Sequence, residues 1–508
     1  MTKKILARAL AIIMLTAVAV SCKKNTNTPQ GSETPSDVVT DNNGGDDGDN
    51  IASETVAKDA DTLEDIDLDG KKVNIVTRGT TEYEFRSEAG SKGTVVERAV
   101  YNREATVENR FNVDINIIPQ KADWGDLSTF TEMVRAEYLS PSAGWQVLSV
   151  HSTVLARMVA NGYLQDMNNF ENIDMNKVWW SELLYKELNI DGKMYLGMGD
   201  INVTLYEYMQ VMFFNETQLE VIYHGEGKDM LYKLVEDGEW TWEELKKMAA
   251  LYGTGAEEAG GDGAYGFVMN AHALRATFAS NEAKTETKDA NGRIIYEDVP
   301  TERLTKTVEF LAEFLKQPNT QFPGGSGDSQ STQNKLFAAG KILFYPQVLQ
   351  AAKTITATMT DAYAIVPYPK YDEYQDMYRT ICKSSVSAVA IMSTVSEDAD
   401  KLAVGTVVEA LAMEGYKQVT PAYYNTVLKK QYFDDPKSAA ILDDIRNGMT
   451  VQSVASLYTT TTIYPHMYQS SIINGTVDVT STYTKKLESS RGIITDFYAS
   501  MREMGLIQ

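Results

Sequence analysis

Residues 71–118 read KKVNIVTRGTTEYEFRSEAGSKGTVVERAVYNREATVENRFNVDINII, and this stretch decides the fold. Val73 to Thr77 is a short β-branched, apolar run, the pattern of a buried strand. Gly93-Thr94 then opens a helix. Thr94 and Glu97 have the spacing of a capping box, and Val96, Val100, Val107 and Phe111 recur at the period of one buried face. Val113 to Ile118 gives a second strand. A strand, a helix and a strand in this order predict a parallel pair with the helix packed over it.

The pattern repeats downstream. A helix is predicted near Ser128 to Tyr138, a strand at Gln146 to Val150, and a helix closing at Asn161-Gly162, where glycine suits a C-cap. The β-α-β-α-β order implies a mostly parallel α/β sheet, whose ligand sites lie at the carboxyl ends of the strands. The loops Arg78 to Phe85 and His151 to Thr153 are therefore the places to search.

The N-terminus specifies where the chain works. Lys3, Lys4 and Arg8 precede or flank an apolar run from Leu10 to Val20 that ends at Ser21-Cys22. A basic start, an apolar middle too short to span a bilayer and a small-residue exit make residues 1–21 a secretion signal. Ala19-Val20-Ser21-Cys22 resembles a bacterial lipobox, in which the signal is cut before the cysteine and the Cys22 thiol receives the lipid. From Lys23 to Gly70 there are 13 Asp or Glu against three Lys, with almost no periodic apolar content. Residues 22–70 are thus expected to be a lipidated cysteine and a disordered acidic tether, about 35 Å in span for some 40 flexible residues. Asp65-Ile66-Asp67-Leu68-Asp69-Gly70 matches the first half of a calcium loop, but the twelfth position is Val76 where a glutamate is needed.

Length and charge set further bounds. The body from Lys71 to Gln508 is long enough for two lobes with separate cores. The formal charge is −23, of which the tether supplies −10 (13 acids less three bases), so nucleic acid is not expected as a partner. Two cysteines exist, and with Cys22 lipidated Cys382 has no partner, so no disulfide is expected.

Seven segments carry a family resemblance: GTVVERAVYNREATVENRFNVDI (93–115), VWWSELLYKELNIDGKMYLGMGD (178–200), VMFFNETQLE (211–220), EWTWEELKKMA (239–249), FAAGKILFYP (337–346), YAIVPYPKYDEYQDMY (363–378) and PAYYNTVLKKQYFDD (421–435). In this order they resemble the extracellular solute-binding proteins of bacterial ABC importers, especially the sugar-binding branch. The likeness runs from about Lys71 to about Gly448. Alone, each piece is a fold marker. Thr241 to Glu244 is a capping box that gives Trp240 and Trp242 structural roles, Val211 to Asn215 is a strand with Asn215 as helix cap, and Ile342 to Tyr345 is a strand.

The resemblance implies a two-lobed periplasmic-binding-protein-like (type II) α/β fold with discontinuous lobes. It places lobe 1 at 71–201 plus 346–382 and lobe 2 at 202–345 plus 383–508, with hinges near Gly199 to Val203, Tyr345 to Gln347 and Lys383 to Ser387. It further implies a monomer held at the outer face of the membrane or in the periplasm through the lipid on Cys22. There it would capture a small polar ligand, a carbohydrate foremost, in the inter-lobe cleft and deliver it to an importer permease. No cofactor or metal is implied.

A sugar offers hydroxyls and an apolar ring face, so its site needs planar polar side chains and a stacking aromatic. Loop position nominates Arg78, Thr80 and Glu82, then His151 and Ser152, then Tyr206 and Tyr208 at the first crossing and Tyr345 and Gln347 at the second. Trp124, in the loop Asp123-Trp124-Gly125-Asp126, is a further stacking candidate, whereas Trp179 and Trp180 are expected to pack near the lobe surface.

The alternatives are a glycan-degrading enzyme and an adhesive lipoprotein. A glycosidase needs two carboxylates about 5 to 10 Å apart, and nothing marks such a pair among the 70 acids. His151, His224, His272 and His466 form no HExxH pair, and there is no GxSxG elbow. The GxGxxG at Gly261 to Gly266 precedes a strand where a phosphate loop would follow one. The chain therefore reads as a binding protein without turnover.

Overall fold

Two β-sheets organise the chain, and the computed structural model describes residues 58–87, 90–257, 260–322, 328–428, 436–468, 472 and 478–508. The signal, Cys22 and the acidic segment to residue 57 lie outside the described residues.

The first sheet contains β1 (Lys71–Arg78), β2 (Val113–Gln120), β3 (Val147–His151) and β11 (Ser387–Ile391), in the order β11-β3-β1-β2. β1 is parallel to both β2 and β3, in register Val73 with Ile115 and Ile75 with Val147. β11 runs antiparallel to β3. The helix Val95–Phe111 begins at the expected capping box, with Thr94 Oγ1 accepting from the Glu97 amide at 3.3 Å and Glu97 Oε2 accepting from the Thr94 amide at 2.7 Å. Its inner face carries Val100, Val107 and Phe111 as predicted, with Val96 only partly covered. It also buries Arg103, which donates to the carbonyls of Glu84 at 2.5 Å and Ile201 at 3.0 Å.

The second sheet contains β4 (Gln210–Asn215), β5 (Tyr265–Val268), β8 (Thr320–Gln321), β9 (Ile342–Val348) and β10 (Tyr363–Val366), in the order β10-β4-β9-β5-β8. β6 (Thr287–Lys288) and β7 (Ile294–Ile295) pair separately as a small hairpin.

The chain leaves the first sheet through residues 199–209 and returns through residues 381–387, and these two passages run side by side. Met209 bridges Cys382, the Gln210 amide donates to the Ile381 carbonyl at 3.0 Å, and the Ser387 amide donates to Thr204 Oγ1 at 3.0 Å. The chain thus passes between the sheets near Gly199 and near Lys383. It does not cross at Tyr345 to Gln347, because β9 continues to Val348 inside the second sheet and β10 pairs with β4 in the same sheet. Consequently segment 346–382 contributes its strand to the second sheet, and segment 383–508 contributes β11 to the first, the reverse of the expected division.

Residues 58–70, expected to be the end of the tether, are instead held on the folded body. Arg110 draws Asp61 to 2.6 Å and Asp65 to 2.7 Å, Leu68 is buried, and the Gly70 amide donates to the Asn112 carbonyl at 2.8 Å. Exposed ion pairs hold a chain weakly, so the burial of Leu68 and the backbone bonds of Leu68 and Gly70 do more to fix this segment.

Trp179 and Trp180 lie deeper than expected. Both are buried, and both indole N–H groups donate to Glu409, at 2.7 and 2.9 Å. Burial pushes the Glu409 carboxyl up to about 7, against the opposing effect of those two donors.

Candidate functional site

A cavity of about 590 Å³ opens where the two crossing segments meet, walled by side chains from both sheets. Its first wall grows from the carboxyl end of β3. That strand stops at His151, whose Nδ1 accepts from the Thr153 amide at 3.2 Å and caps the helix Ser152–Met158. The Ser152 amide donates to the Val386 carbonyl at 2.9 Å and its hydroxyl to the Ser384 carbonyl at 3.3 Å, so the strand end is stitched to the returning crossing. Further along this helix, Arg157 lines the cavity and donates to the carbonyls of Leu457 at 3.0 Å and Ser456 at 2.8 Å. These bonds bring the C-terminal segment around Ser453 to Leu457 into the wall.

Trp124 stands at the cavity, 52% exposed. Its ring centre is 6.2 Å from that of His151, and the Arg157 guanidinium lies 5.9 Å from the same ring. Asp123, which precedes it, is held by Arg78 at 3.1 Å.

The opposite wall grows from the end of β5. Asn270 caps the helix Ala271–Ser280, accepting from the amides of His272 at 2.9 Å and Ala273 at 3.0 Å, and this fixes His272 and Arg275 against the cavity. Between the walls run Ile381 to Val386 of the returning crossing. Lys383 is positioned by its own amide, which donates to the Tyr208 carbonyl at 2.8 Å, and its Nζ lies 5.7 Å from the Tyr208 ring centre.

Both histidines are neutral bases near pH 7. Burial first, and then the positive charge of Arg78, brings His151 down to about 4. Burial first, then Arg275 and Lys383, does the same for His272. Burial pushes the Cys382 thiol up, and its Sγ faces the Leu205 carbonyl at 3.3 Å, so it offers no activated nucleophile. Among the described residues no group of three or more His, Cys, Asp or Glu is placed to hold a metal ion. The GxGxxG loop is no phosphate cradle either, since the amides of Gly261 and Gly263 donate to carbonyls of the neighbouring loop, Ala256 and Gly255, at 2.9 Å.

Of the residues nominated from sequence, the structure brings Trp124, His151 and Ser152 to the cavity wall. Arg78 sits behind it, buried against Thr81, Asp123 and Ser387. Thr80 donates to Asp123 at 3.2 Å, and Glu82 pairs with Arg86 at 3.6 Å. Tyr206 is core, accepting from Thr420 Oγ1 at 2.7 Å, and Tyr208 lies beneath Lys383. Tyr345 and Gln347 are also core. β9 is an interior strand, and on its covered face the Tyr345 hydroxyl donates to Asn334 at 2.7 Å while Gln347 donates to that hydroxyl at 2.9 Å. Arg157, His272, Arg275 and Lys383 were missed. His272 follows the end of a second-sheet strand, and Lys383 begins a segment recognised as a crossing, so both had a usable signal.

Comparison with known proteins bears on the fold and the family. No curated protein matches the sequence. Among solved structures, the chain is similar to a cyclo/maltodextrin-binding protein complexed with maltotetraose, with a TM-score of 0.51 and 14% identity over 84% of this chain and 96% of that one. It is likewise similar to a family 1 extracellular solute-binding protein from Bifidobacterium longum subsp. infantis, with a TM-score of 0.51 and 13% identity over 83% of this chain and all of that one, 100%. At such identities the likeness establishes the two-lobed fold. The sequence itself goes further, for residues 104–404, more than half of the chain, match the model of one family of binding proteins and span both sheets. The chain belongs to the bacterial extracellular solute-binding protein family.

Proposed function

We propose that this protein is the lipid-anchored capture component of an ABC importer, that the cavity at the crossings is its ligand site, and that the ligand is a carbohydrate. The observation that carries the reading is the placement of Trp124: a half-exposed indole faces a cavity whose wall is partly apolar and also carries hydroxyl, amide, imidazole and cationic side chains. An apolar platform with a few convergent polar groups is what a sugar ring requires. Similarity to a maltotetraose complex supports the same reading. Because the walls come from both sheets and meet along two adjacent crossings, a ligand touching both would favour a closed arrangement of the lobes.

Thermal unfolding of the full-length chain against mono- and oligosaccharides, amino acids and peptides tests the ligand class. A carbohydrate at 100 times its dissociation constant is expected to add about 2.7 kcal/mol of stability. Stabilisation by peptides or amino acids with none by any sugar would count against a carbohydrate ligand. For the anchor, radiolabelled fatty acid fed to producing cells is expected to label the wild-type protein and not Cys22→Ala. Label retained by the variant would place the lipid elsewhere.

A further inference from the structure

We infer that the ligand carries an acid group, so that the site takes an anionic carbohydrate in preference to its neutral counterpart. This rests on the carbohydrate reading above and narrows it.

The argument is one of charge inventory. Over the whole chain acids outnumber bases, 70 Asp and Glu against 47 Lys and Arg. The cavity reverses that balance. Arg157, Arg275 and Lys383 line it, and among the described residues of its wall there is no carboxylate. Arg78, which lies behind the wall, is paired with Asp123 at 3.1 Å and adjoins Glu84.

Lys383 is the decisive residue. It sits on the returning crossing between the two walls, close enough to both histidines to influence them. Among the described residues its Nζ makes no hydrogen bond or ion pair, and it lies 5.7 Å from the centre of the Tyr208 ring. Burial first, and then the charge of Arg78, pulls the Lys383 ammonium below its ordinary range. The surroundings thus oppose its charge. Arg157 has two of its nitrogens bound to the Ser456 and Leu457 carbonyls, both neutral acceptors. Neither histidine changes this balance, since burial keeps both uncharged near pH 7 and an imidazole carries no negative charge.

Closing lobes around a neutral sugar would remove water from the Lys383 ammonium and give nothing in exchange, which is unfavourable for an unpaired charge. A carboxylate, sulfate or phosphate on the sugar would replace that water with a charge-assisted bond. Lys383, being a compact point charge on the crossing, would meet the acid group whichever of the three it is.

Isothermal titration of the full-length chain tests this with matched probes: trigalacturonate against galactotriose, glucose 6-phosphate and a sulfated disaccharide against glucose and lactose, and glutamate and citrate as acids that are not sugars. At least one acidic sugar is expected to bind tenfold or more tightly than its neutral match. That preference should fall several-fold between 50 and 500 mM salt, since screening shortens with ionic strength. Lys383→Gln is expected to remove most of it, with the unfolding midpoint of the free protein unchanged. The salt series on the wild type decides the matter even should the variant fail to fold. A neutral sugar bound as tightly as its acidic match would overturn the inference while leaving the carbohydrate reading intact. Binding of citrate or glutamate alone, weakened in Lys383→Gln, would keep the anionic site and remove the sugar. Absence of binding by every acidic probe would overturn it outright.

Discussion

Glu84→Ala should destabilise the protein by roughly 2–5 kcal/mol. Glu84 follows β1 and is fully buried. Its Oε1 accepts from the Thr204 amide and the Thr204 hydroxyl, both at 2.8 Å, and its Oε2 accepts from the Ser387 hydroxyl at 2.6 Å. Thr204 belongs to the outgoing crossing and Ser387 to the returning one, so one carboxylate ties both to the first sheet. Alanine would leave the Thr204 amide buried without an acceptor, whereas the two hydroxyls could turn to other partners. The volume of the missing carboxymethyl group adds a cavity cost. Urea unfolding is the measurement, and a variant within 0.5 kcal/mol of wild type would contradict the clasp.

The same residue predicts a pH effect. Burial holds the Glu84 carboxyl above its ordinary value of 4.5, with the bonds from Ser387 and Thr204 opposing. In the unfolded chain this group therefore releases its proton at lower pH than in the folded one. Its contribution to stability is then lost as pH rises from about 4.5 toward the folded value. Glu84→Gln, which keeps the acceptor for Thr204 and cannot ionise, is expected to gain on wild type over that interval. An unchanging difference between the two across pH would show that Glu84 titrates alike in both states.

Much of the frame was legible because its signals are local. The strand at Val73, the capping box at Thr94 and the cap at Asn215 depend on neighbours within a turn or a pleat, and the structure has them where the residues place them. The division of the chain between sheets was not legible, and the misreading has a definite cause. The crossing at Tyr345 to Gln347 rests on the family resemblance alone, and Pro346 within it, although it cannot donate to a ladder, does not end the strand. β5 reaches only Phe344 of β9, so Pro346 lies where β9 is bonded on the β4 side alone, and there a proline is tolerated.

The site was legible on one side. Trp124, His151 and Ser152 follow from the rule that ligands meet strand ends, applied to the first sheet. The same rule applied to β5 would have reached His272, and the crossing segment contains Lys383. Ser453 and Leu457 had no such marker. They reach the cavity because Arg157 binds the carbonyls of Ser456 and Leu457, a long-range contact that no local pattern encodes.

Trp124→Ala is expected to weaken carbohydrate binding by about tenfold to a hundredfold while changing the stability of the free protein by less than about 1 kcal/mol. The two effects separate because the ring is 52% exposed before ligand arrives. Exposed apolar surface contributes little to folding, but a sugar face laid on it would remove the remainder from water. Burial of that remainder is worth about 1.5–3 kcal/mol, which is the stated range of affinity. The loop itself should survive the change, since Asp123 is held by Arg78 at 3.1 Å and caps the turn through Asp126 at 3.2 Å, neither bond involving the indole. Trp124→Phe should recover part of the loss, because a smaller ring still offers a flat face but covers less of the sugar. Calorimetric titration with a sugar that stabilises the wild type, paired with urea unfolding of each variant, distinguishes a binding surface from a packing one. Unchanged affinity in Trp124→Ala would take the indole out of the site. A large loss of stability in the free variant would instead make its contacts with His151 and Arg157 structural, and would move the search for a stacking ring to Tyr464 on the opposite wall.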